Sequence, residues 1–204
     1  MSKLKVLSPF GPKIAKLKFP KTIVLKINDE VDKIIKKKRL GKNDYSKKLV
    51  GEVSQEIQLS KSFIDKNIKS FISKKISEYL KIIKKKDSKK IIIKNFWIVR
   101  QFKNEYNPVH YHDGNISGVG YLKIPINIYK SKKKTKVNGT IDFMNGTRTF
   151  LSNSIYNHIP KVGDLIFFPN YLMHVVYPFS VDGERRSFSF NIEIDKKIAN
   201  EFHE

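Results

Sequence analysis

A β-sandwich or jelly roll with helices packed on one face is the fold class this sequence predicts, and three observations predict it. Residues 60–85 carry one long helical stripe. Residues 91–194 divide into short runs rich in Ile, Val, Phe and Tyr, bounded by Gly, Asn, Asp or Pro. The helical pattern comes first and the strands follow, without the alternation that a parallel sheet would need.

The elements follow in chain order. Pro9, Pro12 and Pro20 punctuate the start, and Thr22–Ile27 alternates like a strand. Asn28-Asp29 offers a cap for a short helix over about 29–38. Ser60 or Ser62 caps the main helix. In it Phe63, Ile64, Ile68, Phe71, Ile72, Ile76, Tyr79, Leu80 and Ile83 recur at threes and fours, so one apolar face is expected against a sheet. KKKDSKK over 84–90 is a polar link. Strands are then expected over 91–103, 116–129, 139–150, 163–168, 173–177 and 186–194. The division is a support region over 1–90 and a β core over 91–204, in one compact unit.

Length and composition bound the rest. At 204 residues a single core can bury roughly 70% of the unfolded surface. With no cysteine, a disulfide scaffold, a thiolate metal site and a cysteine nucleophile are all excluded. No stretch approaches 18 apolar residues, and the opening MSKLKVLSPFGPK lacks the apolar core of a leader. No membrane association and a cytoplasmic location are therefore expected. The net charge of +22 would suit a nucleic-acid partner, but only five of the 41 basic residues are arginine. Lysines scattered among isoleucines read as compositional bias and a solvated surface.

The chemistry lies in the histidines and two arginines. His110-Tyr111-His112 places two imidazoles two residues apart, on one face of a strand. His174, in GDLIFFPNYLMHVVYP, starts a strand that returns after Pro169. Three such ligands on one face suit a facial metal triad with open positions opposite. Asp113 is the alternative ligand if a bulge redirects it. Further on, GERRSFSFN carries Arg185 and Arg186 into a strand, and a guanidinium with a serine hydroxyl two positions later can hold a carboxylate. Trp97 reads as core, His158 as a loop residue and His203 as tail; Tyr106, Asn115 and Arg100 are candidates for a substrate mouth.

HYHDGNISGVGYLKIP, then GDLIFFPNYLMHVVYP, then GERRSFSFNIEI resembles, in order and spacing, the 2-oxoglutarate/Fe(II)-dependent oxygenase superfamily, and more narrowly the 2OG-Fe(II) oxygenases of marine phages and bacteria. The likeness spans about 90–194 and extends weakly upstream through LVGEVSQEIQLS and NFWIVRQFKNEYNP. The resemblance implies a double-stranded β-helix (a cupin-like jelly roll) and the cofactors Fe(II) and 2-oxoglutarate. It also implies hydroxylation of a substrate with succinate and CO2 as coproducts. It puts the metal and catalytic ligands on His110, His112 and His174, and the cosubstrate contacts on Arg185, Ser187 and Tyr121. The departure is His112 where the family has a carboxylate. If the chain is phage-encoded, its location is the host cytoplasm. Two other readings stand beside this one. One is a cupin-like three-histidine metal protein that does not use 2-oxoglutarate. The other is a non-catalytic jelly-roll binding or structural module. The substrate (protein side chain, nucleobase or small molecule) and the oligomeric state are unspecified.

Overall fold

The computed structural model describes residues 4–7, 11–37, 40–84, 86–129 and 137–200. The first sixty residues contribute β1 (Lys5–Leu7), β2 (Ile14–Lys18), α1 (Lys21–Lys36), the single turn α2 (Leu40–Asn43) and β3 (Gln55–Gln58). Then come α3 (Lys61–Asn67) and α4 (Lys69–Lys84). The β half holds β4 (Ile91–Gln101), β5 (Asn107–His110), β6 (Ile116–Lys123), β7 (Ile141–Met144), β8 (Ile155–His158), β9 (Asp164–Pro169), β10 (Met173–Val176) and β11 (Arg185–Ile194), and the turn α5 (Lys196–Ala199) follows.

Two antiparallel sheets face each other. The larger runs β1-β2-β9-β6-β11-β4-β3 and the smaller β5-β10-β7-β8. This is the jelly roll expected. Strands from the first sixty residues form both edges of the larger sheet, so that region is woven into the β core. β9 and β10 are not a hairpin: after Pro169 the chain crosses from the larger sheet to the smaller one.

Alternation decides which side of the larger sheet each residue serves. Phe96, Ile98, Phe188, Phe190 and Ile192 point outward, and with Ile27, Val31, Ile72 and Ile76 of the helices they form the main apolar core. Gly118 and Gly120 sit opposite Phe190 and Phe188. A methyl at either position would lie 2.1 or 2.2 Å from a buried phenyl ring carbon, so only glycine lets those rings lie over β6. The alternate residues point inward, toward the smaller sheet, where Val119, Tyr121, Ile141, Phe143, Ile166 and Phe168 form a second core.

Two expectations in the N-terminal region are corrected. Thr22–Ile27 is helical, not a strand, and the helix begins at Lys21 instead of about residue 29. Val24, Ile27, Val31 and Ile34 are its buried residues, a three-four-three spacing that overrides the β-branched run. Asn28 caps nothing; it lies mid-helix and donates to the Leu122 carbonyl at 3.2 Å. The stripe over 60–85 is two helices. Ser60 accepts from the Phe63 amide at 3.3 Å, as expected of the cap. Asn67 donates back to the Phe63 carbonyl at 3.0 Å and the helix breaks at Ile68. Residues 124–129 and 145–150, expected as strand, form turns and irregular chain after the ends of β6 and β7. Among the described residues no helix is long and apolar enough to cross a membrane.

Candidate active site

His110 ends β5 and His174 lies near the start of β10, and the two are direct partners across an antiparallel pair. Directly opposed residues share a face, so both rings project to the same side. Their centroids are 4.2 Å apart. His112 lies two residues beyond β5, in irregular chain held by Asn170: the His112 amide donates to the Asn170 carbonyl at 2.9 Å, and the Asn170 side chain donates to the His112 carbonyl at 3.1 Å. Its ring lies 5.2 Å from His110 and 4.9 Å from His174. The three rings each offer a nitrogen within 4.8 Å of the others, and among the described residues this is the group arranged to hold a metal. Asp113 is exposed and lines the cleft without joining the cluster.

Each imidazole has its Nδ1 committed to an oxygen. His110 donates to the Pro108 carbonyl at 2.7 Å, His174 to the Leu172 carbonyl at 2.9 Å and His112 to the Asn191 side-chain oxygen at 2.9 Å. Ser117 donates to that same amide oxygen at 3.2 Å. A proton held on Nδ1 leaves the Nε2 lone pair for a metal. Burial keeps all three rings below the ordinary histidine range. His112 is pushed to about 4, and burial with the two neighbouring rings holds His174 well below its ordinary value. Neutral imidazoles with one nitrogen committed are a donor set that fits a first-row divalent cation. Phe168, Phe143 and Trp97 surround the cluster.

Arg185 is buried, at 3% exposure, and its rung partners put it on the inner face of β11. Its Nη1 donates to the Gly139 carbonyl at 2.9 Å, while its Nε has no partner among the described residues. Its guanidinium lies 5.9 Å from the Tyr121 ring centroid, and the Tyr121 hydroxyl is also buried and unpartnered. Ser187 is buried and directly opposite Tyr121. An unpaired cation and two hydroxyls on one inner face fit an anion such as a carboxylate. These three residues do not line the open cleft beside the histidines. Tyr121 packs with Val119, Ile141 and Val176, which do line it.

Arg186 faces the other way. It pairs with Glu184 at 2.7 Å and with Asp32 of α1 at 2.8 Å, tying helix to sheet. Burial alone would raise the Glu184 carboxyl, but its bonds from Arg100 and Arg186 hold it at about 2. Arg100, a candidate for the substrate mouth, belongs to this ion-pair group; Tyr106 and Asn115 also stay out of the cleft. His158 is a correction: it lies buried on β8 rather than in a loop, 3.2 Å from Asp164. Trp97 is core by burial and also a wall of the cleft, stacked on His112 at 5.6 Å. His203 lies outside the described residues.

The cleft, of about 170 Å³, holds two residues that the sequence pattern passed over. Asn191 orients His112; its signal was its alternation with Arg185, Ser187 and Ser189 on one face of β11. Glu56 on β3 is 1% exposed, and neither carboxyl oxygen has a hydrogen-bond partner. Burial, with the charges of Asp44 and Glu105, pushes its carboxyl up to about 8. Because that exceeds the ordinary 4.5, the folded state binds the extra proton between those values. Its stability is then complete below pH 4.5 and is lost as pH rises through 8. Glu56→Gln is therefore expected to gain on the native protein, metal-free, by a few kcal/mol between pH 5 and pH 9. Urea unfolding midpoints at the two pH values check this; a constant difference between them would mean that the carboxyl is solvated.

Comparison with known proteins agrees with this architecture. Residues 95–191 match the family described as "Putative 2OG-Fe(II) oxygenase". A search of curated proteins finds no match. Among solved structures, a Pseudomonas putida prolyl-4-hydroxylase superposes with a TM-score of 0.61 at 12% identity, over 88% of this chain and 91% of that one. The viral collagen prolyl hydroxylase of Paramecium bursaria Chlorella virus-1, in its 2OG complex, gives 0.53 at 20% identity, over 88% and 94%. HygX of Streptomyces hygroscopicus, with nickel, 2-oxoglutarate and hygromycin B bound, gives 0.55 at 12% identity, over 88% and 82%. The sequence match lies across the β core, and with the shared jelly roll and a histidine cluster arranged to hold a metal it makes this chain similar to the 2-oxoglutarate/Fe(II)-dependent oxygenases, a family of oxidoreductases whose cofactors are Fe(II) and 2-oxoglutarate.

Proposed function

We propose that the protein is a dioxygenase that hydroxylates a C–H bond of its substrate, with 2-oxoglutarate consumed to succinate and CO2. One oxygen atom of O2 enters the substrate and the other enters succinate. His110, His112 and His174 would hold the iron. Arg185, with Ser187 and Tyr121, would hold the far carboxylate of 2-oxoglutarate. When bound, the iron and cosubstrate supply the oxygen activation.

The chain's own residues do the rest. Pro108, Leu172 and Asn191 fix the tautomer and orientation of the three rings. Arg185 presents a desolvated positive charge, stronger there than in water, to a dicarboxylate. Phe143, Phe168, Val119 and Ile141 keep water from the reacting centre. Having His112 in place of a carboxylate leaves one more positive charge on the centre, which favours anionic cosubstrate binding.

The observation that carries this reading is a tautomer-fixed histidine cluster at the smaller sheet together with a buried Arg185, lacking a carboxylate partner among the described residues, on the inner face of the larger sheet opposite. It also favours 2-oxoglutarate use over the three-histidine protein that needs no carboxylate anchor. Anaerobic titration with Fe(II) and then 2-oxoglutarate, followed by a succinate assay in air, tests it. Saturable binding of both with succinate formation is expected. Iron binding without 2-oxoglutarate binding would overturn it.

A further inference from the structure

The chain carries +22, yet the wall of the cleft on the β3 side is acidic. Glu56 and Asp113 line it, and Asp44 and Glu105 lie close enough to Glu56 to act on its charge. Asp44 and Glu105 have partners: Asp44 accepts from Ser46, and Glu105 accepts from the Ser54 and Phe102 amides. Among the described residues Glu56 has no side-chain hydrogen-bond partner, though it is almost wholly buried. A buried carboxyl with both oxygens unpaired costs free energy unless something completes it. The residues around it do not. Its rung partner is Val99, and the cation in this part of the cleft, Lys48, sits over the Tyr45 ring at 5.3 Å.

Two aromatic rings share this wall. Tyr45 and Trp97 lie 5.7 Å apart, and Trp97 stacks on His112. A carboxyl beside two aromatic faces is the chemistry that receives an ammonium or guanidinium group. Lys48 over Tyr45 is an example of that contact within the chain. A side chain anchored there would extend along Trp97 toward the histidines.

We propose that Glu56, with Tyr45 and Trp97, binds a basic nitrogen of the substrate, so that the oxidised molecule is a primary amine or guanidine. This deepens the oxygenase reading and rests on it. Glu56 is a substrate-binding residue; it takes no part in holding iron or 2-oxoglutarate.

The test uses protein loaded anaerobically with Fe(II) and 2-oxoglutarate. Nα-acetyl-lysine methylamide and Nα-acetyl-arginine methylamide are titrated by ligand-observed NMR, with neutral Nα-acetyl-norleucine methylamide as control. Above pH 8, where the Glu56 carboxyl is ionised, at least one basic probe is expected to bind about tenfold or more tightly than norleucine, the margin of one charge-assisted contact. Glu56→Gln should abolish that preference while changing the norleucine, Fe(II) and 2-oxoglutarate affinities less than about twofold. Glu56→Ala is the second variant if the first does not fold. Equal binding of basic and neutral probes, a preference that survives both variants, or no binding of either basic probe overturns the proposal. Loss of Fe(II) or 2-oxoglutarate binding in the unaltered protein would instead overturn the oxygenase reading, so the two failures are distinct.

Discussion

Arg185→Ala is expected to weaken 2-oxoglutarate binding by roughly 30-fold to several thousand-fold, because losing one partner of a buried charge-assisted pair costs about 2–5 kcal/mol. The reason lies in what Arg185 lacks. It is enclosed by the inner face, it donates one bond to a backbone carbonyl, and its Nε is unpaired. A buried guanidinium in that state is completed by an incoming carboxylate. Arg185→Lys should recover part of the loss, since an ammonium supplies charge without the planar fork. Arg186→Ala should instead lower stability with little effect on the cosubstrate, since its partners are Glu184 and Asp32 at the helix–sheet seam. Anaerobic titration and urea unfolding of the variants separate the two. Equal effects on 2-oxoglutarate would dismiss the assignment of Arg185.

His174→Ala is expected to abolish measurable Fe(II) binding. Losing an outer partner of a ligand already costs metal affinity about 10–100-fold, and losing a ligand itself costs more. His174 is the most buried of the three and lies close to both other rings, so its removal opens the cluster from within. His158→Ala is the matched control: also a buried histidine, but paired with Asp164 across the inner face. It should leave iron affinity unchanged. Equilibrium titration with Fe(II) under anaerobic conditions checks both, and an unaltered His174→Ala affinity would place the metal elsewhere.

The separation of Arg185 from Arg186 shows where reading the chain stopped. Adjacent arginines entering a strand must point to opposite faces, and that much is periodicity. Which face is inner depends on the neighbours: Gln101 and Tyr121 on one side, α1 on the other. The N-terminal error has the same origin. Thr22–Ile27 has good strand composition, but the apolar residues that continue it at 31 and 34 matter only once a sheet is there to cover. Asn191 and Glu56 carried no motif at all. An asparagine or glutamate is ordinary on a surface strand and becomes informative only when the fold buries it beside a histidine cluster.

What the sequence determined by itself was local and periodic: the apolar stripe over 60–85, the strand runs, the HxH pair and the Arg-x-Ser spacing. Each depends on spacings of two to four residues, and side-chain direction follows from those directly. What only the tertiary structure decided was long-range. His110 faces His174 because β5 and β10 pair in that register, 64 residues apart in sequence. Arg185 is buried because its strand's inner face is covered, and Glu56 is buried because β3 joins the edge of β4. Burial and cross-strand register are set by how the whole chain packs, and packing turns ordinary polar residues into a site.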